Sequence, residues 1–537
     1  MKKFALLTMA VLTVSVVNAD SQLDEYKKWR ENELKSYQNY LDENDKAFIK
    51  FLKAQWKSVE VEPAEKRDPA PKPKTFPKAP EKRPEPAPVS APVPVPVKKQ
   101  PDIAEKPIAK QPEQKPAPVI VQKTEPAKPV KKPVESKPVK TKPTASKPVA
   151  SKPVIQKPKV VTKPPVVPPP ELKSKSVRTA KFDFYGNPIA IRYPKNLKRV
   201  FAGKLNSDKI AAYWQYLASK EHKPTIQQLK DTAAALKLND WGTAQLFNQF
   251  SKSILRQETS RRLTTWFLLV KAGFDARVAY NDKLHLLIPS KQDLFGVTFF
   301  KLSGKKYYAV NLSGKQLKPG KVFTYGGQHG AGSHILDFSQ PNEFIAQGKQ
   351  SKRALTFNYG GQSYKVNVDY PARYVAYFNS FPQLSLPNYF KAGLPAVTSA
   401  SMLDQLRPVV AGQNEQEAVN RLLRFVQTAF KYKTDDQQFK EENYLFPLET
   451  LHYPYSDCED RAALFAWLTE SLLGLDVVIL DYPGHVATAV NFSGKVKGDA
   501  WQYQGKRYVV ADPTYINASA GMTMPQFAGK APKVQPF

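Results

Sequence analysis

A long tract rich in proline and lysine limits the folded part of this chain more than any other feature. Between residues 62 and 175 the triplet Lys-Pro-Val recurs, as at residues 137–139, 147–149 and 152–154. Proline has no backbone N–H to donate and the many lysines repel one another, so this tract cannot form a packed core. We expect a disordered linker that favours the extended polyproline II conformation, with folded segments on either side of it.

The first residues have the pattern of a secretory signal peptide. Lys2 and Lys3 precede an apolar run at residues 4–17, and a small residue, Ala19, ends the segment. The run is shorter than the roughly 20 residues of a membrane-spanning helix, and no later stretch reaches that length. We therefore expect a signal peptide at residues 1–19, a mature chain that starts at Asp20, and a periplasmic or secreted location.

The formal net charge is +33, and the lysines of the linker supply much of it. A basic tract of this kind favours adhesion to an anionic envelope surface. Recognition of nucleic acid is not expected, because few aromatic residues are interleaved with the charges and because the chain carries an export signal.

Residues 20–61 are predicted to form an amphipathic helical segment, as one helix or as a helical hairpin. Apolar residues such as Tyr37, Leu41 and Phe48 recur at helical spacing among charged ones. Since no adjacent segment offers a core, we expect residues 21–57 to dock on a protein partner or to self-associate. Acidic residues on the polar face argue against a helix that lies on a membrane surface.

The rest of the chain, from residue 176, has the composition of a folded α+β protein. Helical periodicity and strand-like runs divide it into three predicted domains: residues 176–324, a small β-rich module at 325–400, and residues 401–537. The predicted helices are Asp208–Lys220, Thr225–Leu238, Leu246–Leu255, Glu258–Ala272, Asn414–Phe430 and Glu459–Leu473, with Ser207 and Thr225 as candidate N-caps. The predicted strands are Ala276–Tyr280, His285–Ile288, Val297–Phe300, Lys306–Asn311, Ala354–Asn358, Ser363–Val368, Tyr374–Phe378, Val477–Leu480, His485–Val490 and Tyr508–Asp512.

The chain contains a single cysteine, Cys458, so it has no internal disulfide. The cysteine stands directly before an apolar helical run, which predicts that it lies at a helix N-terminus. The N–H groups and the dipole there favour a thiolate, but Glu459 and Asp460 disfavour it, so a cationic partner is needed. Asp460 is better explained as a helix cap or as an ion-pair partner of Arg461 than as a catalytic acid. A buried cysteine that only packs is the alternative.

Two further residues complete a candidate catalytic triad with Cys458. His485 begins a predicted strand after a Pro-Gly turn, and Asp512 ends another predicted strand before a proline. An imidazole beside a thiol forms the ion pair that attacks a carbonyl carbon, and a carboxylate on the other ring nitrogen fixes the tautomer. A strand histidine or an Asp-Pro sequence alone is usually structural, so the hypothesis depends on the three residues together.

In combination these segments resemble the transglutaminase-like superfamily. The matching text is Phe-Pro-Leu-Glu-Thr-Leu at 446–451, Asp-Cys-Glu-Asp-Arg-Ala-Ala-Leu at 457–464, Gly-His-Val at 484–486 and Val-Ala-Asp-Pro-Thr at 510–514. The resemblance implies a papain-like core in residues 401–537 with a Cys-His-Asp triad. Ser456 stands where bacterial members often have glycine. This departure concerns the geometry of the turn before Cys458 and not the nucleophile itself. The family includes peptidases, amidases and acyl-transferring crosslinkers, so the acyl acceptor, water or an amine, stays open.

An internal repeat is also predicted. Trp266 and Gly273 are seven residues apart, as are Trp467 and Gly474 (273 − 266 and 474 − 467), and their flanking sequences are similar. The alignment gives three correspondences: Gln257 replaces Cys458, His285 lies within one residue of the place of His485, and Asn311 replaces Asp512. Residues 176–324 are therefore interpreted as a degenerate copy of the transglutaminase-like domain, without a nucleophile.

No metal or cofactor site is predicted. His329 and His334 flank a glycine-rich turn but have no nearby cysteine or third histidine. The sequence Tyr-Gly-Gly at 325–327 is more typical of a hairpin loop than of a phosphate-binding loop.

The preferred interpretation is an exported cysteine-nucleophile enzyme that cleaves or transfers amide acyl groups of a peptide or protein substrate through a thioester on Cys458. In this interpretation His485 acts as base and then as acid, and Asp512 orients it. The alternative is a non-catalytic envelope scaffold in which two papain-like units bind peptide or glycan strands.

Overall fold

The computed structural model describes residues 25, 28, 29, 32, 43–54, 56–66, 72–80, 172–173, 176–314, 318–326 and 332–537. The predicted signal peptide and most of the predicted linker lie outside these residues. The described residues belong to one compact unit of mixed α and β structure. No helix among them is both long enough and apolar enough to cross a membrane.

The first half of the fold runs to about residue 340. It begins with helix α1 (residues 43–52) and strand β1 (Lys57–Val59). After the linker come strands β2 (Val177–Phe184) and β3 (Asn187–Pro194), and then helices α2 (Ser207–Ala218), α3 (Lys223–Ala235), α4 (Asp240–Ile254) and α5 (Glu258–Lys271). Strands β4 (Arg277–Tyr280), β5 (Leu284–Ile288), β6 (Leu294–Phe295), β7 (Phe299–Leu302), β8 (Lys305–Val310) and β9 (Val322–Thr324) complete this half.

The second half follows the same plan with more helices. It begins with strands β10 (Gln350–Tyr359) and β11 (Gln362–Pro371), helix α6 (Arg373–Phe378), strand β12 (Gln383–Leu384) and helices α7 (Leu386–Ala392), α8 (Ala396–Val410) and α9 (Glu415–Ala429). It continues with β13 (Lys431–Tyr432), α10 (Asp435–Gln438), α11 (Pro447–His452), β14 (Tyr455–Ser456) and α12 (Cys458–Leu473). The last strands are β15 (Val477–Tyr482), β16 (His485–Val490), β17 (Ala500–Tyr503), β18 (Lys506–Ala511) and β19 (Lys533–Gln535).

The helix starts show how local chemistry sets these boundaries. Asn206 and Asn414 precede α2 and α9, and each side chain accepts a hydrogen bond from the backbone N–H three residues later, at 2.8 and 2.9 Å. The predicted N-cap Ser207 is therefore wrong by one residue. Thr225 is not an N-cap either, because α3 begins at Lys223 with a proline in its first turn, where no N–H is needed.

The main sheets of the two halves have the same strand order. The first sheet runs β1-β9-β4-β5-β8-β7, and the second, read from its other edge, runs β19-β15-β16-β18-β17. Apart from β1, each strand has a counterpart at the same place in the sheet and in the same chain order: β4 with β15, β5 with β16, β7 with β17, β8 with β18 and β9 with β19. The neighbouring strands in both sheets are antiparallel. The topology thus agrees with the internal repeat that the sequence predicts.

One side-chain contact recurs at the same place in both halves. Tyr307 of β8 donates its hydroxyl to Asp275 at 2.9 Å, and Tyr508 of β18 donates to Asp476 at 2.7 Å. The two pairs are separated by the same offset in sequence (508 − 307 and 476 − 275 are both 201). This contact ties the start of the first sheet strand to the hairpin in each half.

The segment predicted as a separate β-rich module is part of the second half. The hairpin β10–β11 packs on α8 and α9, as the hairpin β2–β3 packs on α3 and α4. Residues 374–378, which were predicted as a strand, belong to helix α6. Their aromatic side chains suit either conformation, and they form a helix because Tyr374, Tyr377 and Phe378 pack together against Phe344 and Phe446.

Helix α1 packs on the first half of its own chain. The Phe48 ring lies 4.7 Å from the Trp214 ring, and the Trp56 ring lies 5.4 Å from that of Tyr280. Lys271 donates to Asp45 at 2.5 Å. The apolar face on the described residues of 43–56 is therefore covered within the chain. The core that covers it lies far along the sequence, beyond the linker. Most of residues 21–42 lie outside the described residues, so docking or self-association of residues 21–57 stays a prediction.

The described part of the predicted linker also contacts the folded unit. Strand β1 pairs with β9, and residue 62 forms an isolated bridge with Phe299. Residues 72–80, which we call the strap, lie on the second half of the fold, where the backbone N–H of Ala79 donates to Ile516 at 2.9 Å. The predicted boundary at residue 62 is thus too early, because a few apolar and charged side chains within this proline-rich sequence find partners distant in the sequence.

Candidate active site

Cys458 is the first residue of α12, at the position that the sequence predicts. Helix α12 is apolar on nearly all sides and lies between the second sheet and helices α7, α9 and α11, which buries the thiol completely. Asp460 fixes the start of the helix, since its carboxylate accepts the backbone N–H groups of Asp457 at 3.2 Å and Leu445 at 2.8 Å. Its predicted role as a cap is confirmed.

Arg461 does not pair with Asp460. Its guanidinium donates instead to the Ser456 hydroxyl at 3.2 Å and to the carbonyl oxygens of Gln427 and Phe430 at 3.4 and 2.9 Å. These carbonyls lie at the C-terminal end of α9, where helix geometry leaves acceptors free. Arg461 thus attaches the start of α12 to the end of α9.

His485 and Asp512 form a buried pair beside the cysteine. Nε2 of His485 lies 2.8 Å from Oδ2 of Asp512, whose other oxygen accepts the N–H groups of Thr514 and Tyr515 at 2.8 and 3.2 Å. In the neutral form of the imidazole, a carboxylate at this distance places the proton on Nε2 and leaves the lone pair on Nδ1. Within the described part of the chain, Nδ1 has no hydrogen-bond partner.

The thiol lies next to the strand that carries this histidine. The backbone N–H of Val486, the residue after His485, points to the Cys458 sulfur, and α12 packs directly on β16. The exposed fractions of Cys458, His485 and Asp512 are 0%, 2% and 3%. The structure thus buries the three predicted residues in neighbouring elements, but it joins only two of them directly: His485 pairs with Asp512, whereas the Cys458 thiol hydrogen-bonds Glu459 and not Nδ1 of His485.

A group of carboxylates that sequence reasoning did not assign surrounds the thiol. Oε2 of Glu459 lies 3.2 Å from the Cys458 sulfur. Carboxylate oxygens of Asp435, Asp457 and Glu459 lie within 4.8 Å of one another, a spacing that suits a cation. We call this group, together with the half-exposed Glu442, the acidic pocket.

The cation in the acidic pocket is the ammonium group of Lys72, from the strap. Its Nζ lies 3.0 Å from Asp457, 2.9 Å from Glu442 and 3.7 Å from Asp435, and it also contacts Glu459. Burial by itself lowers the pKa of Lys72, but Asp457 and Glu459 outweigh it and hold that pKa well above its usual range. The cationic partner that Cys458 was predicted to need is therefore a lysine 386 residues earlier in the sequence (458 − 72).

The electrostatics of the site favour a neutral thiol. Burial, followed by the charge of Glu459, raises the pKa of Cys458 well above its usual value, while Lys72 acts in the opposite direction. Burial also raises the pKa of Glu459 to about 8 and that of Asp435 to about 9. The expectation of a thiolate favoured by the helix N-terminus is thus opposed in this arrangement, because the sulfur is shielded from water beside a carboxyl group.

Aromatic rings enclose the imidazole of His485. The Phe527 ring is stacked on it with centroids 4.9 Å apart, and the Phe76 ring, from the strap, lies at the same distance. Phe76 also contacts Tyr432 at 5.4 Å. Sequence reasoning missed Lys72 and Phe76 because both lie in low-complexity sequence; the only signal was that an aromatic residue is rare in that tract.

The corresponding residues of the first half do not form a triad. Gln257 is the N-cap of α5 and its side-chain oxygen accepts the backbone N–H of Phe201 at 3.2 Å. Nε2 of His285 lies 3.1 Å from the side-chain oxygen of Asn281, and the side chain of Asn311 accepts the N–H of Ser313 at 3.2 Å. This half therefore holds no nucleophile or carboxylate at the equivalent place.

Strand register shows that His285 is not the structural equivalent of His485. Leu286 of β5 and Thr488 of β16 each pair with the last residue of the neighbouring strand, β8 or β18. His485 precedes Thr488 by three residues (488 − 485), whereas His285 precedes Leu286 by one (286 − 285). His285 thus lies two residues further along its strand than the expected position.

The comparisons with known proteins identify no relative. The chain matches no protein-family model, no curated protein and no solved structure.

Proposed function

We propose that the second half of the fold is a cysteine-nucleophile domain of the transglutaminase-like class, which cleaves or transfers the acyl group of an amide. The observation that carries the proposal is the pair of His485 and Asp512, with its unpartnered Nδ1, on the strand that touches a cysteine at a helix start. A buried packing cysteine needs no oriented imidazole beside it.

Each residue of the site has a role in this proposal. Nδ1 of His485 takes the thiol proton as the sulfur attacks the amide carbon, and a C–S bond forms. The C–N bond then breaks, and the same proton leaves with the departing amine, which gives a thioester on Cys458. Water or a second amine attacks the thioester carbon and gives its proton to His485. The C–S bond then breaks, the acyl product leaves, and His485 returns the proton to the Cys458 sulfur. Asp512 holds the imidazole in the productive tautomer throughout.

The first half of the fold is better explained as a binding unit. Gln257 and Asn311 are engaged in backbone hydrogen bonds, and no thiol is present there. The lack of a nucleophile in this half is what favours the alternative, a scaffold without catalysis. The second half retains the thiol, the imidazole and the carboxylate that acyl transfer needs.

The experiment is a turnover assay with a matched control in the degenerate half. The protein is incubated with a mixture of synthetic peptides that contain lysine and glutamine, with and without dansylcadaverine, and the products are identified by mass spectrometry. We expect new termini or amine adducts that disappear in Cys458→Ala and persist in Gln257→Ala, which alters the corresponding position. The same assay is run on Lys72→Met/Phe76→Ala, which removes the two side chains of the strap that contact the site. The proposal fails if the native protein and this variant, with a native circular dichroism spectrum, both give no Cys458-dependent product.

A further inference from the structure

The strap, which forms neither helix nor strand and bends at residues 74 and 75, lies on the candidate site and is held through its backbone. The hydroxyl of Tyr432 donates to the carbonyl oxygen of Pro73 at 3.0 Å. Near the other end, the N–H of Ala79 donates to the carbonyl oxygen of Ile516 at 2.9 Å, and the Asn517 amide donates to the Ala79 carbonyl oxygen at 3.3 Å. Backbone contacts at both ends are the way in which a groove recognises an extended peptide of another sequence.

One side chain of the strap is bound with charge complementarity. Only a tenth of the Lys72 side chain is exposed, and its ammonium touches all four carboxylates of the acidic pocket. The ammonium also lies over the ring of Tyr444, whose centroid is 5.1 Å from Nζ. Oδ1 of Asp457 is fully buried and has no partner in the described part of the chain, so the pocket still offers an acceptor. This is a built site for a cation, because three of its carboxylates are buried.

A second side chain of the strap blocks the catalytic base. Phe76 packs on the imidazole of His485 and on Tyr432. The thiol beneath is wholly enclosed. An amide substrate can reach Cys458 only after these two anchors, Lys72 and Phe76, have left.

We propose that the strap, residues 72–80, is an internal occupant of the substrate groove, and that the acidic pocket is the subsite for a primary ammonium group on the side chain of a peptide substrate. This inference rests on the proposed function, since it assigns the substrate chemistry of the same site. The ammonium serves in recognition and not as the attacking amine, because the buried acidic pocket, in which Asp457 contributes most, favours its protonated form. The active form is the one in which a substrate peptide has replaced the strap.

The test measures access to the only thiol in the chain. Iodoacetamide labelling of Cys458 is followed by mass spectrometry from about pH 6 to about pH 10. The plateau rate at high pH reports access, and the midpoint reports the thiol pKa. Removing both anchors in Lys72→Met/Phe76→Ala should raise the plateau at least about tenfold, because each anchor is a buried contact. The matched control is Lys74→Met, which removes an exposed lysine of the same strap and should leave the plateau unchanged.

A second measurement tests the ammonium subsite. A synthetic peptide with the sequence of residues 72–80 is added to the Lys72→Met/Phe76→Ala protein and should lower the plateau again. A peptide with methionine in place of its first lysine should bind at least about tenfold more weakly.

The outcomes separate this inference from the proposed function. Equal plateaus in the native and double-variant proteins, both folded by circular dichroism, overturn the internal occupant. Equal binding of the two peptides overturns the ammonium subsite. Labelling that rises as expected without any Cys458-dependent turnover refutes the proposed catalysis alone. Protection that depends on protein concentration shows that a second copy supplies the strap and overturns the intramolecular assignment.

Discussion

Glu459 touches the candidate nucleophile, and its removal should lower the pKa of the Cys458 thiol. Two unit charges at the observed separation of 3.2 Å repel by 332/(ε × 3.2), which is about 1 kcal/mol in bulk water and about 5 kcal/mol at an effective ε of about 20. Since about 1.4 kcal/mol corresponds to one pKa unit, Glu459→Gln should lower the thiol pKa by about 1 to 4 units. Both groups are fully buried, which favours the upper part of this range.

The assay is an ultraviolet titration of the thiolate, corrected with Cys458→Ala for the ionisation of tyrosines. Because burial raises the pKa of Glu459 to about 8, its carboxyl is ionised mainly above that pH, and the native and variant curves should diverge most there. Asp457, Lys72 and Glu442 also face this carboxyl. Glu442→Gln is the control, because Glu442 contacts Lys72 but is 41% exposed, and it should move the midpoint much less. An unchanged or higher midpoint in folded Glu459→Gln would refute this electrostatic account.

Three further predictions follow from other contacts. Asp512→Asn should lower turnover by about 100- to 10,000-fold with an unchanged circular dichroism spectrum, because it mis-sets the imidazole tautomer; an equal loss of fold and activity would contradict this. Phe48→Ala should cost about 3 to 5 kcal/mol in urea unfolding if α1 docks on Trp214, against less than about 0.5 kcal/mol for the exposed Val200→Ala. Burial raises the pKa of Glu449 from 4.5 to about 8, so the folded state keeps a proton that the unfolded state has lost. The contribution of Glu449 to stability should therefore fall by up to about 1.4 kcal/mol per pH unit between those two values, and Glu449→Gln should make the decline in urea titrations shallower by that amount.

Local signals were sufficient where an element is defined by its own sequence. Strand β16 has the predicted bounds, and α12 begins one residue before the prediction, because an apolar run follows polar capping residues there. The same signals placed Cys458, His485 and Asp512 at element ends, where His485 and Asp512 pair and Cys458 begins the helix that packs on β16. The repeat was readable because Trp266 and Trp467 lie at the same place in two equivalent helices.

Long-range partners decide the features that were missed. Lys72 reaches Asp457 across 385 residues, and nothing in its proline-rich surroundings distinguishes it from the other lysines of the tract. The wrong strand at 374–378 follows from aromatic residues whose conformation is set by packing and not by propensity. Val278 pairs with Leu286 and Ile479 pairs with Thr488, so the β4–β5 hairpin is one residue shorter than β15–β16 between equivalent positions (286 − 278 is 8 and 488 − 479 is 9). This difference shifts the register of His285, and an ungapped sequence alignment does not show it.

The attachment of β1 determines how strongly the strap competes with a substrate. Residues 57–66 are fixed on the first half through β1 and through Glu65, whose side chain receives the Lys306 ammonium at 2.7 Å. Only five residues, 67–71, separate this anchor from Lys72. Rebinding of the strap is therefore intramolecular, and such short tethers give effective concentrations on the order of millimolar. A free peptide with equal contacts must reach that concentration to displace the strap. A single proteolytic cleavage of the backbone within residues 67–71 would remove the tether on that side.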